Sequence, residues 1–377
     1  MMLQGRRYDT GQCVEVETAK GTIVALRAIA DDANLPWLAP GFIDLQVNGY
    51  GGIGFNDADL STAKIAKVAE ALALQGVATF LPTCTTDSEE VIARSCAALA
   101  AACEELPALK QCVAGIHVEG PFISPQDGPR GAHPREQVRP PNFAEFERWQ
   151  VAAKGMIRLL TLSPEYEEAA EFIARATAQG VVVAIGHTNA TSEQIKAAVN
   201  AGAKLSTHLG NGAHVLLKRH PNYIWDQLAE DRLMASLIAD GHHLPPAVVQ
   251  CMLRAKSPER CLLISDMTNL AGCQPGSYRT SLGEVELLEN GKLVVGGQRE
   301  IMAGASLPLA VGIGNAMRFA GLPLKAAIEL ATLNPARLLG LPLPHLALGA
   351  PAKLVLFRLS DAQAIEIVAS SLMNDES

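Results

Sequence analysis

The sequence predicts a (β/α)8 barrel of the TIM type carrying a small β-sandwich, and three observations carry that expectation. Eight short apolar runs alternate with longer helical patterns between residue 41 and about residue 340. Most of the runs are continuous and rich in Val, Ile and Leu, as parallel strands buried on both faces are. A polar residue follows run after run, and in a barrel the C-terminal strand ends converge on one mouth, where active sites lie. A doubly wound sheet also alternates strands and helices; the count of eight and the polar strand ends favour the barrel.

Taken in order, residues 1–40 alternate like short strands, as in Cys13-Val-Glu-Val-Glu17 and Gly21-Thr-Ile-Val24. Residues 345–377 add runs such as Leu354-Val-Leu-Phe357. Neither flank has enough apolar surface to fold alone, so together they are expected to form the sandwich, with the barrel at 41–344. The barrel strands are read at Phe42–Leu45, Thr79–Leu81, Val113–Val118, Ile157–Thr161, Val181–Ile185, Lys204–Thr207, Ala235–Ala239 and Leu262–Ser265. Ser61 to Gln75 reads as a helix stopped by Gly76, and Thr191-Ser-Glu-Gln194 as a capping box opening a helix that ends near Gly202. An insertion near 280–298 reads as a β-hairpin, Glu284-Val-Glu-Leu-Leu288 and Leu293-Val-Val295, turned by Asn290-Gly291.

A formal net charge of -8 without a long basic run argues against nucleic acid or an anionic membrane as partner. No apolar run is long enough for a membrane span, and the N-terminal residues lack the apolar stretch of a signal peptide. The eight cysteines show no CxxC pairing and read as buried apolar residues of a reducing, cytoplasmic compartment.

The chemistry concentrates at strand ends. Glu119 follows Val113–Val118, His187 follows Val181–Gly186, and His208 follows Lys204–Thr207. Two imidazoles and one carboxylate, with a position left for water, make a catalytic zinc-type set. Asp266 closes the eighth strand, where a carboxylate beside an activated water can take its proton and pass it to a leaving nitrogen. A lone His at a strand end is more often structural. Four such residues on one predicted rim point to a metal-dependent hydrolase. His117 lies within its strand and reads as a structural residue beneath the metal.

These residues fall in longer motifs: Pro40-Gly-Phe-Ile-Asp-Leu-Gln-Val-Asn-Gly49, His117-Val-Glu-Gly-Pro-Phe122, Gly131-Ala-His133, Gly186-His-Thr-Asn-Ala190, Thr207-His-Leu209, Ala239-Asp-Gly241, Ser265-Asp266, Met302-Ala-Gly304 and Asn334-Pro-Ala336. In them, nearly end to end, the chain resembles the N-acetylglucosamine-6-phosphate deacetylases of the amidohydrolase superfamily. The resemblance implies removal of acetate from N-acetylglucosamine 6-phosphate, a small-molecule amino-sugar phosphate, and a homodimer. It implies Glu119, His187 and His208 as metal ligands, Asp266 as catalytic acid/base, and His133 as a substrate contact near the acetamide. It places Asn211, Gly212, Arg219 and His243 at the sugar phosphate, the arginine coming from the partner subunit. Gly210 and Gly212 flank Asn211 and would let backbone N–H groups approach an anion closely.

The chain departs from the family pattern after His208, which continues Leu-Gly-Asn-Gly-Ala-His214 and then Lys218-Arg-His-Pro-Asn-Tyr-Ile-Trp225. Deacetylation of another N-acetylated compound therefore stays open, as does an inactive scaffold. Gln46 and Asn48 stand where many amidohydrolases carry the His-x-His of a second metal. One divalent ion per chain is expected; zinc fits the ligand set best, and Fe²⁺, Co²⁺ or Mn²⁺ could take the same site.

Overall fold

The computed structural model describes residues 1–280 and 283–371. Eight parallel strands pair strictly in chain order: β1 (Phe42–Val47), β2 (Val77–Thr85), β3 (Ile116–Glu119), β4 (Ile157–Leu162), β5 (Val182–Ile185), β6 (Leu205–Ser206), β7 (Met234–Leu237) and β8 (Cys261–Leu263). Successive residues of a strand face opposite ways, and the burial follows. Ile43, Leu45, Leu81, Leu159, Val182, Ala184 and Leu262 pack together as one cluster that fills the barrel. Their alternates, among them Phe42, Phe80, Leu160, Val183 and Leu263, belong to the larger cluster shared with the helices.

The seam between β1 and β8 is closed by few bonds. Val47 bridges Met267, the Asp266 amide donates to the Gln46 carbonyl at 3.0 Å, and the Asn48 amide to the Met267 carbonyl at 2.8 Å. Lower in the seam, the Asp44 carboxyl takes the place of a strand carbonyl. Its Oδ1 accepts from the Ser265 amide at 3.1 Å and the Gln46 amide at 3.3 Å, while its buried Oδ2 has no partner. Burial pushes this carboxyl up to about 7.

The terminal runs join in one six-stranded sheet, ordered Ile365–Ser370, Leu354–Leu359, Trp37–Pro40, Met2–Arg7, Cys13–Ala19 and Thr22–Ala28. After β8 the chain builds a four-stranded antiparallel sheet, Gly276–Thr280, Gly283–Leu287, Leu293–Val295 and Gln298–Met302. The expected hairpin is its middle pair, with Val285 opposite Val295 and Leu287 opposite Leu293. The Thr191 capping box is formed, with the Gln194 amide donating to Thr191 Oγ1 and the Gln194 side chain accepting from the Thr191 amide. All eight cysteines are free; Cys251 is exposed, against the expectation of burial, because it lies on the outer face of the helix Pro246–Lys256. Among the described residues no helix is long and apolar enough to cross a membrane.

Candidate active site

Four side chains stand at or just past strand ends and meet in the barrel mouth. Glu119 is the last residue of β3, His187 and His208 lie two residues beyond β5 and β6, and Asp266 lies three beyond β8. His187 (φ 49°), His208 (φ 29°) and Asp266 (φ 52°) all take the left-handed backbone region. For a residue with a Cβ this costs about 1–3 kcal/mol and persists only where neighbours enforce it. Here they do: the His208 amide donates to Ser236 Oγ at 2.7 Å, and the His187 carbonyl accepts from the Ser124 amide at 2.9 Å.

Three donor atoms converge. His208 Nε2 lies 2.9 Å from Glu119 Oε1, His187 Nε2 3.3 Å from the same oxygen, and the two Nε2 atoms are 3.0 Å apart. His187 Nδ1 is 2.7 Å from the Pro129 carbonyl, which can only accept, so Nδ1 carries the proton and donates. In the neutral ring Nε2 then presents a lone pair to the carboxylate, an arrangement that calls for a positive centre between them. A second-sphere carbonyl fixing the tautomer in this way is usual for metal-binding histidines. A tetrahedral ion with bonds of about 2.0–2.1 Å keeps its ligand atoms about 3.3 Å apart. The observed separations, 2.9–3.3 Å, and the nitrogen–oxygen donor set fit a divalent ion.

Asp266 faces the same space. Its Oδ1 accepts from Gln46 Nε2 at 2.9 Å and Asn48 Nδ2 at 2.8 Å, leaving Oδ2 toward the cavity. Gln46 Nε2 also donates to Glu119 Oε1 at 2.9 Å. The two amides of the first strand thus act as donors to carboxylates. Burial, and then the nearby Glu119 charge, push the Asp266 carboxyl up to about 6.

His133 comes closer to the donors than its reading as a substrate contact requires. Its Nε2 is 3.3 Å from His187 Nε2 and 4.0 Å from Glu119 Oε2, so Glu119, His133 and His187 also form a metal-capable group. The loop from Gly120 carries it there, and no strand pattern marks that loop. Burial, and then His187, push His133 down to about 3, which leaves it neutral at pH 7. His117 is fully buried beneath the cluster, with Nε2 2.9 Å from Thr161 Oγ1 and Nδ1 3.4 Å from Thr83 Oγ1.

The cavity above these groups has a volume of about 630 Å³ and is lined by Asn211, Gly212 and His243 as well. His243 is oriented by Asp240, whose Oδ2 lies 2.7 Å from Nδ1. Gly212 packs against the catalytic end itself: a Cβ there would sit 2.6 Å from His187 Nδ1. Arg219 is exposed and does not line the cavity of its own chain. One lining residue that sequence reasoning passed over is Arg279, on the first strand of the inserted sheet.

The amidohydrolase family profile matches residues 37–375. The chain belongs to the amidohydrolase family. Within it, this amidohydrolase is 33% identical over 332 residues to the N-acetylgalactosamine-6-phosphate deacetylase of Escherichia coli O157:H7, covering 86% of this chain and 85% of the other. It is 32% identical over 312 residues to the N-acetylglucosamine-6-phosphate deacetylase of Bacillus subtilis (strain 168), covering 81% and 76%. A mutant N-acetyl-D-glucosamine-6-phosphate deacetylase of Mycobacterium smegmatis, solved in complex with N-acetyl-D-glucosamine-6-phosphate, superposes with a TM-score of 0.86 at 30% identity, covering 98% and 97%. The family resemblance and the barrel read from the sequence both stand, and the chain is a hydrolase of this group with a site suited to a divalent metal.

Proposed function

We propose that this amidohydrolase removes the acetyl group from N-acetylglucosamine 6-phosphate, giving glucosamine 6-phosphate and acetate. The observation that carries the reading is the meeting of Glu119, His187 and His208 within 3.3 Å of one another beside Asp266. These three would hold the metal, which when bound supplies Lewis-acid activation of water and of the acetamide carbonyl. Asp266 Oδ2 takes a proton from the attacking water and returns it to the departing nitrogen. Gln46 and Asn48 hold Oδ1 and so aim Oδ2. A carboxyl near 6 suits both steps, because it is ionised at neutral pH, takes up a proton more readily than an ordinary carboxylate, and in its acid form can still give that proton to the departing nitrogen. Neutral His133 stands where it can donate to the acetamide oxygen.

The donor role of Gln46 and Asn48 supports one ion per chain, and the nitrogen–oxygen set favours zinc. Arg219 lies outside its own cavity on a loop whose Val215 and Leu216 are 96% and 90% exposed, which supports a homodimer in which that loop reaches the partner's mouth. Asn211, Gly212 and His243 take the sugar phosphate in this reading. In this reading residues 1–40 with 345–377, of which 372–377 lie outside the described residues, make up the small domain and 41–344 the barrel, and the free cysteines support a reducing, cytoplasmic setting. The likeness to the E. coli N-acetylgalactosamine-6-phosphate deacetylase makes the galacto epimer the second reading.

The test is acetate release by zinc-loaded protein from both epimers, with and without the phosphate. Preference for the phosphorylated gluco epimer, abolished by a chelator and restored by one equivalent of metal, is expected. Preference for the galacto epimer would select the second reading, and acetate from neither would overturn both.

A further inference from the structure

The electrostatics of the mouth are lopsided. The cavity is lined by the carboxylates of Asp57, Asp87, Glu119 and Asp266, and among the described residues Arg279 is the one lysine or arginine that lines it. Asp57 and Asp87 are engaged locally: Asp57 Oδ2 accepts from the Gly54 amide, and Asp87 from the Ser88 amide and Asn56. Arg279 is paired through its strand backbone with Glu284, but among the described residues its side chain makes no hydrogen bond or ion pair, and it is exposed where it lines the cavity.

Its position is set by the barrel. The inserted sheet leaves the strand end that carries Asp266 and returns at Met302–Gly304, which line the same cavity. Its root is tied down where Met267 bridges Ala305 and the Thr268 amide donates to the Ala305 carbonyl at 2.9 Å. Val285 and Leu293 add an apolar wall. Arg279 itself is exposed at the rim of this wall, where its guanidinium is open to a ligand.

We propose that Arg279 is a specificity-determining residue that grips the phosphoryl group of the substrate from within the same chain. This rests on the reading of the substrate as a hexosamine phosphate. With the divalent ion on Glu119, the carboxylates of Asp57, Asp87 and Asp266 still line the way of an entering anion, and a planar guanidinium there pairs two phosphate oxygens at once. The inserted sheet therefore selects phosphorylated over plain sugars, independently of Arg219 on the loop after His208.

The experiment compares Arg279→Ala and Arg279→Lys with wild type on N-acetylglucosamine 6-phosphate and on N-acetylglucosamine. It also measures binding of glucosamine 6-phosphate and glucosamine to the zinc-loaded proteins by calorimetry. Arg279→Ala is expected to raise KM for the phosphorylated substrate about tenfold or more, with kcat and the values for the plain sugar little changed. Arg279→Lys should recover part of the loss, and the alanine variant should bind glucosamine 6-phosphate correspondingly less tightly. If wild type turns over the phosphorylated sugar and Arg279→Ala does so with the same KM, or loses both substrates equally, Arg279 has no such role although the reaction stands. If wild type releases no acetate yet binds glucosamine 6-phosphate in an Arg279-dependent way, the reaction falls and the anion site survives. No preference by wild type for phosphorylated ligands overturns the proposal.

Discussion

At the ends of β3, β5, β6 and β8 the side chains of the candidate site are tied to distant parts of the barrel, whereas the loop that follows His208 is held mostly to its own near neighbours, as where His214 meets Tyr223 and Asn222 meets the Lys218 carbonyl. Glu119 accepts from Gln46 across the barrel, His187 is braced by Pro129, and Asp266 is held by Gln46 and Asn48. Only a few residues on, Val215 and Leu216 face outward, and among the described residues the Arg219 side chain has no partner. The first region carries strain in three left-handed residues that its surroundings enforce; the second carries none of that and has room to vary. On the proposed reading the difference separates reaction from substrate: the hydrolytic centre would be built by strand ends that the barrel positions, and discrimination by loops and the inserted sheet.

The sharpest way to break that comparison is at Asp266. Asp266→Asn keeps the acceptor oxygen for Gln46 and Asn48 but cannot carry the proton. We expect unchanged folding and metal content, with kcat lower by about 10²–10⁴-fold, the usual share of general acid–base catalysis. Steady-state kinetics on metal-loaded protein checks it, and near-normal turnover would remove Asp266 from the mechanism.

A smaller effect tests whether the two regions are truly separate. Gly212 belongs to the variable loop, yet its backbone lies on the His187 ring and has φ 55°. In Gly212→Ala the methyl group meets His187 Nδ1 and must push the ring off the Pro129 carbonyl. Disturbing such a second-sphere contact typically lowers metal affinity about 10–100-fold. Competition with a chromogenic chelator measures it. Unchanged affinity would mean that the loop moves freely without touching the centre.

How far the sequence reveals these features follows the same division. The strand ends that carry Glu119, His187 and Asp266 were legible because each closes an apolar run, and burial on both faces leaves a strong signal; His208 follows the polar-rich Lys204-Leu-Ser-Thr207 and was placed by the alternation of elements around it. Boundaries were less so: β3 begins at Ile116 rather than Val113, since Gly115 at φ 149° interrupts the run. In the inserted sheet the Asn290-Gly291 turn was visible, but Gly276–Thr280 was not, because its mostly exposed polar residues give no apolar alternation. Arg279 was missed with that strand. His133 was placed only by resemblance, since its approach to His187 depends on the path of an irregular loop that local pattern does not encode. The divergent loop after His208 was seen to differ, but its contact with His187 through Gly212 is tertiary and has no local signature.

The smallest expected effect lies below the centre, at the β1–β8 seam, and concerns stability alone. Asp44 is buried, its Oδ2 lacks a partner, and burial raises its carboxyl to about 7, above the ordinary unfolded value near 4. Between those two values the native protein holds a proton that the unfolded chain has released. Stability from this group is therefore full at low pH and is lost as pH rises toward 7. Asp44→Asn preserves the acceptor that serves the Ser265 and Gln46 amides and removes the titration. Urea unfolding of metal-loaded protein at pH 5 and pH 8 should then show a smaller loss of stability in the variant, by on the order of 2 kcal/mol. Equal losses in the two proteins would mean that Asp44 is ionised in the native state and that the seam tolerates its charge. The proposed catalytic residues should be indifferent to this change, because Asp44 reaches them only through the Gln46 and Ser265 backbone amides, whose hydrogen bonds Asp44→Asn would still accept. A fall in kcat accompanying the altered pH response would show instead that the seam and the proton-transfer group are one mechanical unit.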